Sequence, residues 1–258
     1  MLRFSANLTM LFTEHDFLDR FAAAASAGFT GVEYVGPYAW PAAEIAGRLR
    51  DNGLTQALFN LPAGDWEKGE RGIAILPDRV DEFRRGVDLA IDYAGALGCG
   101  QVNCLAGLAP PGVDRALLRR TFVDNLRYAS ARLGEAGIRL LVEPINTIDM
   151  PGFFINRADE AVALIDDVGS DNLWLQFDVY HMQIMQGDLT RSLERHVDRI
   201  AHIQVADNPG RHEPGTGEIN YPFVFRTLER LGYTRWVGAE YRPQAGTMAG
   251  LGWMAALT

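Results

Sequence analysis

Short apolar runs recur along this chain at spacings that helices can fill. Eight of them read as strands: LRFSANL, GVEYV, LTQALFNL, CGQVNCL, IRLLVEP, LWLQFDV, IAHIQVAD and RWVGAEY. Their centres are apolar on both faces, the pattern of a parallel sheet covered on both sides. Helical periodicity lies between most of them. The clearest case runs from Pro77 to Leu97, where Val80, Phe83, Val87, Ala90, Ala94 and Leu97 alternate spacings of three and four along one stripe. Another starts at Asp114, a good N-cap, and reaches about Glu135 with Leu118, Phe122, Leu126, Ala129 and Leu133 on one face. Gly28, Gly53, Gly98, Gly137, Gly169 and Gly232 each close a helical stretch just before a strand. Glycine is favoured there because the residue after a helix usually needs a left-handed backbone. The repeated unit predicts an α/β fold, a closed (β/α)8 TIM barrel filling residues 1–258 as one domain. An open doubly wound sheet is the alternative, but no GxGxxG follows the first strand and no phosphate-binding loop motif occurs. The segment from Pro62 to Leu76 is long and polar for a strand-to-helix connection, which marks it as a substrate wall or lid.

Charge narrows the partners. With 24 Lys and Arg against 33 Asp and Glu, the formal net charge is −9. Nucleic acid is not an expected partner, because a phosphate backbone needs a basic face. Anionic lipid is disfavoured for the same reason. A small anionic substrate remains compatible, since one or two local arginines override a global charge. No run approaches the roughly 20 apolar residues of a membrane span. The N-terminal stretch MLRFSANLTMLFTEHD lacks the uninterrupted apolar segment of a signal peptide, so the cytoplasm is expected. A homo-oligomer is left open. Cys99 and Cys104 read as two reduced core thiols on one strand.

Barrel chemistry sits at the C-terminal ends of strands. There the fifth run ends on Glu143, the sixth on Asp178 and the eighth on Glu240, while the seventh carries Gln204. Three carboxylates in a dry barrel mouth repel one another and lose hydration. A divalent cation removes that problem, and four hard oxygen donors suit Mg2+ or Mn2+ better than Zn2+. His181, three residues beyond Asp178, is placed to hydrogen-bond a substrate oxygen or relay a proton. Arg211, in the loop after Gln204, is placed to clamp an anionic substrate; His212 and Glu213 share that loop without a separable role. His15 reads as a surface residue, and His196 and His202 as structural ones. Asn7, Glu33, Asn60 and Asn103 sit at earlier strand ends, where they line the pocket. Tyr34, Tyr38, Trp40 and Trp66 follow the second and third strands as pocket walls or packing.

The residues carry a resemblance. GVEYVGPY, ALFNLPAGDWEKGERGIA, LLVEPIN, FDVYHMQIMQGDL, HIQVADNPGRHEPGTGEINYPFVF and GAEYRP resemble, across nearly the whole chain, the hydroxypyruvate isomerase family of the xylose-isomerase-like barrels. The resemblance implies divalent-metal binding by Glu143, Asp178, Gln204 and Glu240, with Glu143 and Glu240 as the acid/base pair. The wider superfamily often has His where this chain has Gln204. His181 and Arg211 fall where substrate contacts are expected.

The implied reaction interconverts hydroxypyruvate and tartronate semialdehyde through a cis-enediolate, a small anionic hydroxy-carbonyl substrate needing no redox cofactor. Arg211, Arg242, Lys68 and Arg71 are the candidates to hold the substrate carboxylate. Isomerisation of a 2-oxo-tetronate, one carbon longer, is the nearest rival. Sugar epimerisation and a lyase or dehydratase use the same scaffold. A DNA-repair endonuclease needs a histidine-rich metal cluster and a basic groove, which five histidines and this net charge do not supply. A non-catalytic sugar-binding barrel has no use for two opposed glutamates.

Overall fold

The computed structural model describes residues 2–256. Met1, Leu257 and Thr258, the ends of the expected 1–258 domain, lie outside the described residues. Eight parallel strands close into a barrel in sequence order: β1 Arg3–Asn7, β2 Gly31–Tyr34, β3 Thr55–Asn60, β4 Gln101–Cys104, β5 Arg139–Val142, β6 Leu173–Asp178, β7 Ile200–Val205 and β8 Trp236–Ala239. Each expected apolar run contains one of them. Closure pairs β1 with β8, Ser5 standing against Gly238 and Ala6 against Ala239. Helices α1 Arg20–Ser26, α2 Ala42–Asp51, α3 Val80–Leu97, α4 Arg115–Glu135, α5 Ala158–Val168, α6 Val179–Met185, α7 Leu189–His196, α8 Tyr221–Arg230 and α9 Trp253–Ala256 fill the connections and follow the last strand. Among the described residues no helix is long and apolar enough to cross a membrane.

The predicted helix stripes are the buried ones. On α3 they are Phe83, Val87, Ala90, Ala94 and Leu97. Val80 is only half-buried, and the expected start at Pro77 is a short 3-10 turn, Pro77–Arg79, before α3 begins. On α4 all five predicted residues are buried, and the Asp114 side chain accepts from the Ala116 amide at 3.0 Å.

The six glycines before strands all have positive φ, from 63° to 91°. Gly98 illustrates the requirement. It ends α3 at φ 63°, and a Cβ added there would meet nothing within 4 Å, so only the backbone conformation asks for glycine. Gly98→Ala is expected to cost about 1–2 kcal/mol through the left-handed backbone alone, read as a lower denaturation midpoint with an unchanged m-value. The same turn corrects the placement of the cysteines. Cys104 ends β4, but Cys99 lies in the turn before it, where its amide caps α3 on the Ala94 carbonyl. Both are buried and free. Burial raises the Cys99 thiol to about 12 and Cys104 further in the same direction.

The long connection after β3 is pinned rather than loose. Gly72 donates to the Ala63 carbonyl, Ile75 donates to the Ala106 carbonyl, and Arg79 pairs with Glu70 at 2.8 Å. A Cβ on Gly72 would come within 2.4 Å of the Leu105 carbonyl oxygen, so the loop and the chain after β4 pack backbone to backbone. This segment serves as a wall of the barrel mouth.

Candidate active site

Strand period places the site. Residues two apart share a face, so Ser5 with Asn7, Gln101 with Asn103, Gln176 with Asp178, and His202 with Gln204 form sets that turn inward together, and all eight are buried. Glu143 and Glu240 each follow the last residue of a strand. Both line a mouth cavity of about 460 Å3 that Asn60, His181, Arg211 and Arg242 also line. Beneath it a small space is lined by Asn7, Glu33, Gln176, Gln204 and the two glutamates.

Arg211 organises the charge. Its guanidinium lies 2.5 Å from Glu240 Oε2, 3.9 Å from Asp178 Oδ2 and 3.5 Å from Asp149 Oδ2, above the Tyr180 ring at 5.1 Å. Although burial works against its charge, these carboxylates hold Arg211 protonated and raise its pKa. Burial raises Glu143 well above the usual carboxylate range, and repulsion from Glu240 and Asp178 adds to it. Burial pushes Glu240 up to about 7 and Asp178 up to about 6, with Arg211 opposing both shifts.

Gln204 lies at the centre of a fixed network. Its carbonyl accepts from Gln176 Nε2 at 2.7 Å, and its amide nitrogen donates to Glu33 Oε1 at 2.7 Å. Glu33 also accepts from Ser5 at 2.6 Å and is paired with His202 at 2.8 Å. Burial works against the Glu33 charge, but His202 together with the hydrogen bonds from Gln204 and Ser5 leaves Glu33 below its ordinary pKa. Gly238 makes room for it, since a Cβ there would come within 2.5 Å of the Glu33 carboxylate carbon. Asn7 donates to both Glu33 and Glu240, linking the network to the cavity. Asn103 donates to Glu143 Oε2 at 3.1 Å.

The chain's own donor set accommodates a cation. Glu143, Asp178 and His181 each offer one ligand atom, and those atoms lie within 4.8 Å of one another. Among the described residues Asp178 Oδ2 is buried with no hydrogen-bond partner, while Oδ1 caps α6 by accepting from the amides of Tyr180 and His181.

The four cations proposed for a substrate carboxylate separate. Arg211 and Arg242 line the cavity. Lys68 pairs with Asp65 at 2.8 Å on the surface, and Arg71 stacks at 4.0 Å on Trp66, itself a wall of the cavity; neither cation lines the cavity. His212 and Glu213 brace the C-terminal segment: His212 is bonded to the Arg242 carbonyl, and Glu213 accepts from the Gln244 amide. His15 is exposed, and His196 on α7 is paired with Asp159. Trp40 and Tyr38 line a second cavity of about 530 Å3 that shares Thr9, Val35 and Trp66 with the first. Tyr34 is packed in the core. Sequence reasoning missed Asn146, Asp149 and Gln176. Gln176 was findable, because it stands two residues before Asp178 on one strand face.

The family model of the xylose isomerase-like TIM barrel matches residues 21–257. The chain belongs to this family. Within it, the chain is 54% identical over 254 residues to the hydroxypyruvate isomerase of Escherichia coli and 52% identical over 254 residues to the 2-oxo-tetronate isomerase of Cupriavidus necator, covering 98% of each chain in both cases. Among solved structures, one titled AP endonuclease, family 2, from Brucella melitensis superposes with a TM-score of 0.97 at 49% identity, over 99% of each chain. This xylose isomerase-like barrel thus carries its buried carboxylates where the sequence placed them, at the ends of β5, β6 and β8.

Proposed function

We propose that this chain isomerises small 2-oxo hydroxy acids, with the interconversion of hydroxypyruvate and tartronate semialdehyde as its reaction. The observation that carries the reading is the pair Glu143 and Glu240, both buried and both on one cavity, in a chain more than half identical to the two isomerases. Arg242 takes the substrate carboxylate: it lines the cavity, and among the described residues no carboxylate pairs with it. Glu240, whose charge Arg211 favours from 2.5 Å, acts in its ionised form to remove a proton from C3 and leave a cis-enediolate. Glu143 has no cation at that distance among the described residues, holds its proton more readily in the metal-free site and is the group that returns a proton to C2. The hydroxyl proton on O3 passes to O2, and the carbonyl has then moved from C2 to C3. Positioned acid and base groups contribute roughly a hundredfold to ten-thousandfold.

Glu143, Asp178 and Glu240 would hold a divalent cation, Mg2+ or Mn2+, with Gln204 as a fourth donor once its carbonyl leaves Gln176. Such an ion supplies Lewis-acid stabilisation of the developing oxyanion charge. Carboxylates with raised pKa values must lose their protons to bind it. Mn2+ binding to the chelated protein is therefore expected to weaken and to release more protons at pH 6 than at pH 8. Calorimetric titration in buffers of different ionisation enthalpy reads both effects.

The second cavity favours a second reading, a 2-oxo-tetronate substrate, because it extends the mouth past Trp66 and leaves space for a longer acid. A nuclease reading meets a net charge of −9 and a carboxylate cluster with a single histidine. We assign the activity to the cytoplasm. The test is turnover of hydroxypyruvate and 2-oxo-tetronate side by side, before and after chelation. Turnover of one or both, lost with the metal and restored by Mg2+ or Mn2+, is the expected result. Turnover of neither contradicts the reading.

A further inference from the structure

We infer that Asn146 is a positioning residue that locks His181 in one tautomer, with the proton on Nε2, so that His181 donates a hydrogen bond to the substrate oxygen rather than binding the metal. The role of His181 toward substrate rests on the isomerase reading; the tautomer does not.

Asn146 has no exposed surface, and its amide has only one orientation open to it. The Oδ1 atom accepts from two backbone amides, Ile148 at 3.0 Å and Asp149 at 2.8 Å. Turning the amide over would place NH2 against both of these donors. The Nδ2 group therefore faces the other way, toward Asp149 Oδ2 at 3.2 Å and His181 Nδ1 at 2.6 Å. A donor on Nδ1 makes that nitrogen the acceptor, so the ring's single proton sits on Nε2. A ring whose Nδ1 accepts carries only one proton and is neutral.

Nε2 faces the carboxylates, 3.5 Å from Asp178 Oδ2 and 3.9 Å from Glu143 Oε1. These are long separations for hydrogen bonds, and they leave the N–H available to an oxygen arriving between them. A nitrogen that carries a proton has no lone pair for a metal. Histidine ligands in metal sites are oriented the opposite way, donating from their far nitrogen to a carboxylate, carbonyl or water. His181 receives from an amide instead. The cluster of Glu143, Asp178 and His181 thus divides into two metal-competent carboxylates and one hydrogen-bond donor. That donor is suited to the charge that develops on a substrate oxygen in the enediolate.

The test is nitrogen NMR of the Mg2+-loaded protein labelled with 15N-histidine, His181 being assigned by the loss of its signals in His181→Gln. The expected spectrum at pH 8 has a protonated Nε2 and a bare Nδ1. Asn146→Asp replaces the donor with an acceptor, so the proton is expected on Nδ1 and kcat is expected to fall about a hundredfold, the size of losing one oxyanion donor. Asp149→Asn keeps the amide of Asn146 and is expected to keep the wild-type tautomer. A proton on Nδ1 in the wild type, or an unchanged tautomer in Asn146→Asp, would overturn the inference, and so would unchanged kcat alongside a flipped tautomer. Because the wild-type spectrum decides the tautomer without Asn146→Asp, a misfolded Asn146→Asp leaves the test intact. An Nε2 tautomer in a protein that isomerises no acid would sink the isomerase reading while leaving the tautomer lock standing.

Discussion

Glu240→Gln is expected to lower kcat for hydroxypyruvate by roughly a hundredfold to ten-thousandfold, the contribution of a positioned general base. Glutamine keeps the size and one oxygen of glutamate, and Asn7 still finds an acceptor, but Arg211 loses its charged partner, so the kinetics are read only on protein shown to be folded. Glu143→Gln removes the acid on the other side and is expected to fall in the same range. The double variant should lose little beyond the worse single one, since residues acting on one proton relay are strongly non-additive. Steady-state kinetics on all three proteins checks this, with thermal unfolding to confirm that each is folded. Full activity in the double variant would remove both glutamates from the mechanism.

The largest structural effect is expected from Arg211→Met. Arg211 is only 8% exposed and pairs with Glu240 at 2.5 Å while facing Asp178 and Asp149. Methionine preserves much of the volume and none of the charge. Removing one partner from a buried ion pair costs about 3–5 kcal/mol. The sign of its pH dependence follows from the carboxylates left behind. Their folded pKa values are already raised and rise further without Arg211, so the folded state keeps protons that the unfolded state has lost. Stability from such groups is present at low pH and is lost as pH rises through the folded values. Arg211→Met should therefore be less destabilised at pH 6 than at pH 8 in urea unfolding, measured on chelated protein. Equal destabilisation at both would mean that the cost is packing alone.

The fold was legible because barrel strands and their helices each leave a local mark. Apolar runs and the stripes of α3 and α4 follow from burial, and glycines such as Gly98 follow from backbone geometry. Cys99 was misplaced because an apolar run does not say where a helix cap ends and a strand begins. Within the site, Glu143, Asp178 and Glu240 were readable as polar residues closing apolar strands. The direction of Gln204 was not, because an amide's orientation is set by Gln176 and Glu33 on other strands. Lys68 and Arg71 looked equal to Arg242 in the sequence, yet of the three only Arg242 lines the cavity. Asn146 left no sequence signal of its own. Its meaning comes from two backbone amides and a histidine 35 residues away.

The most direct test of the two-glutamate proton transfer is turnover of hydroxypyruvate in heavy water, followed by NMR of the tartronate semialdehyde. A base on one side and an acid on the other, with the acid in exchange with solvent, predict one deuterium at C2 of the product. Product that carries the substrate's own hydrogen at C2 would contradict the account, because it would mean direct hydrogen transfer or a single shielded base.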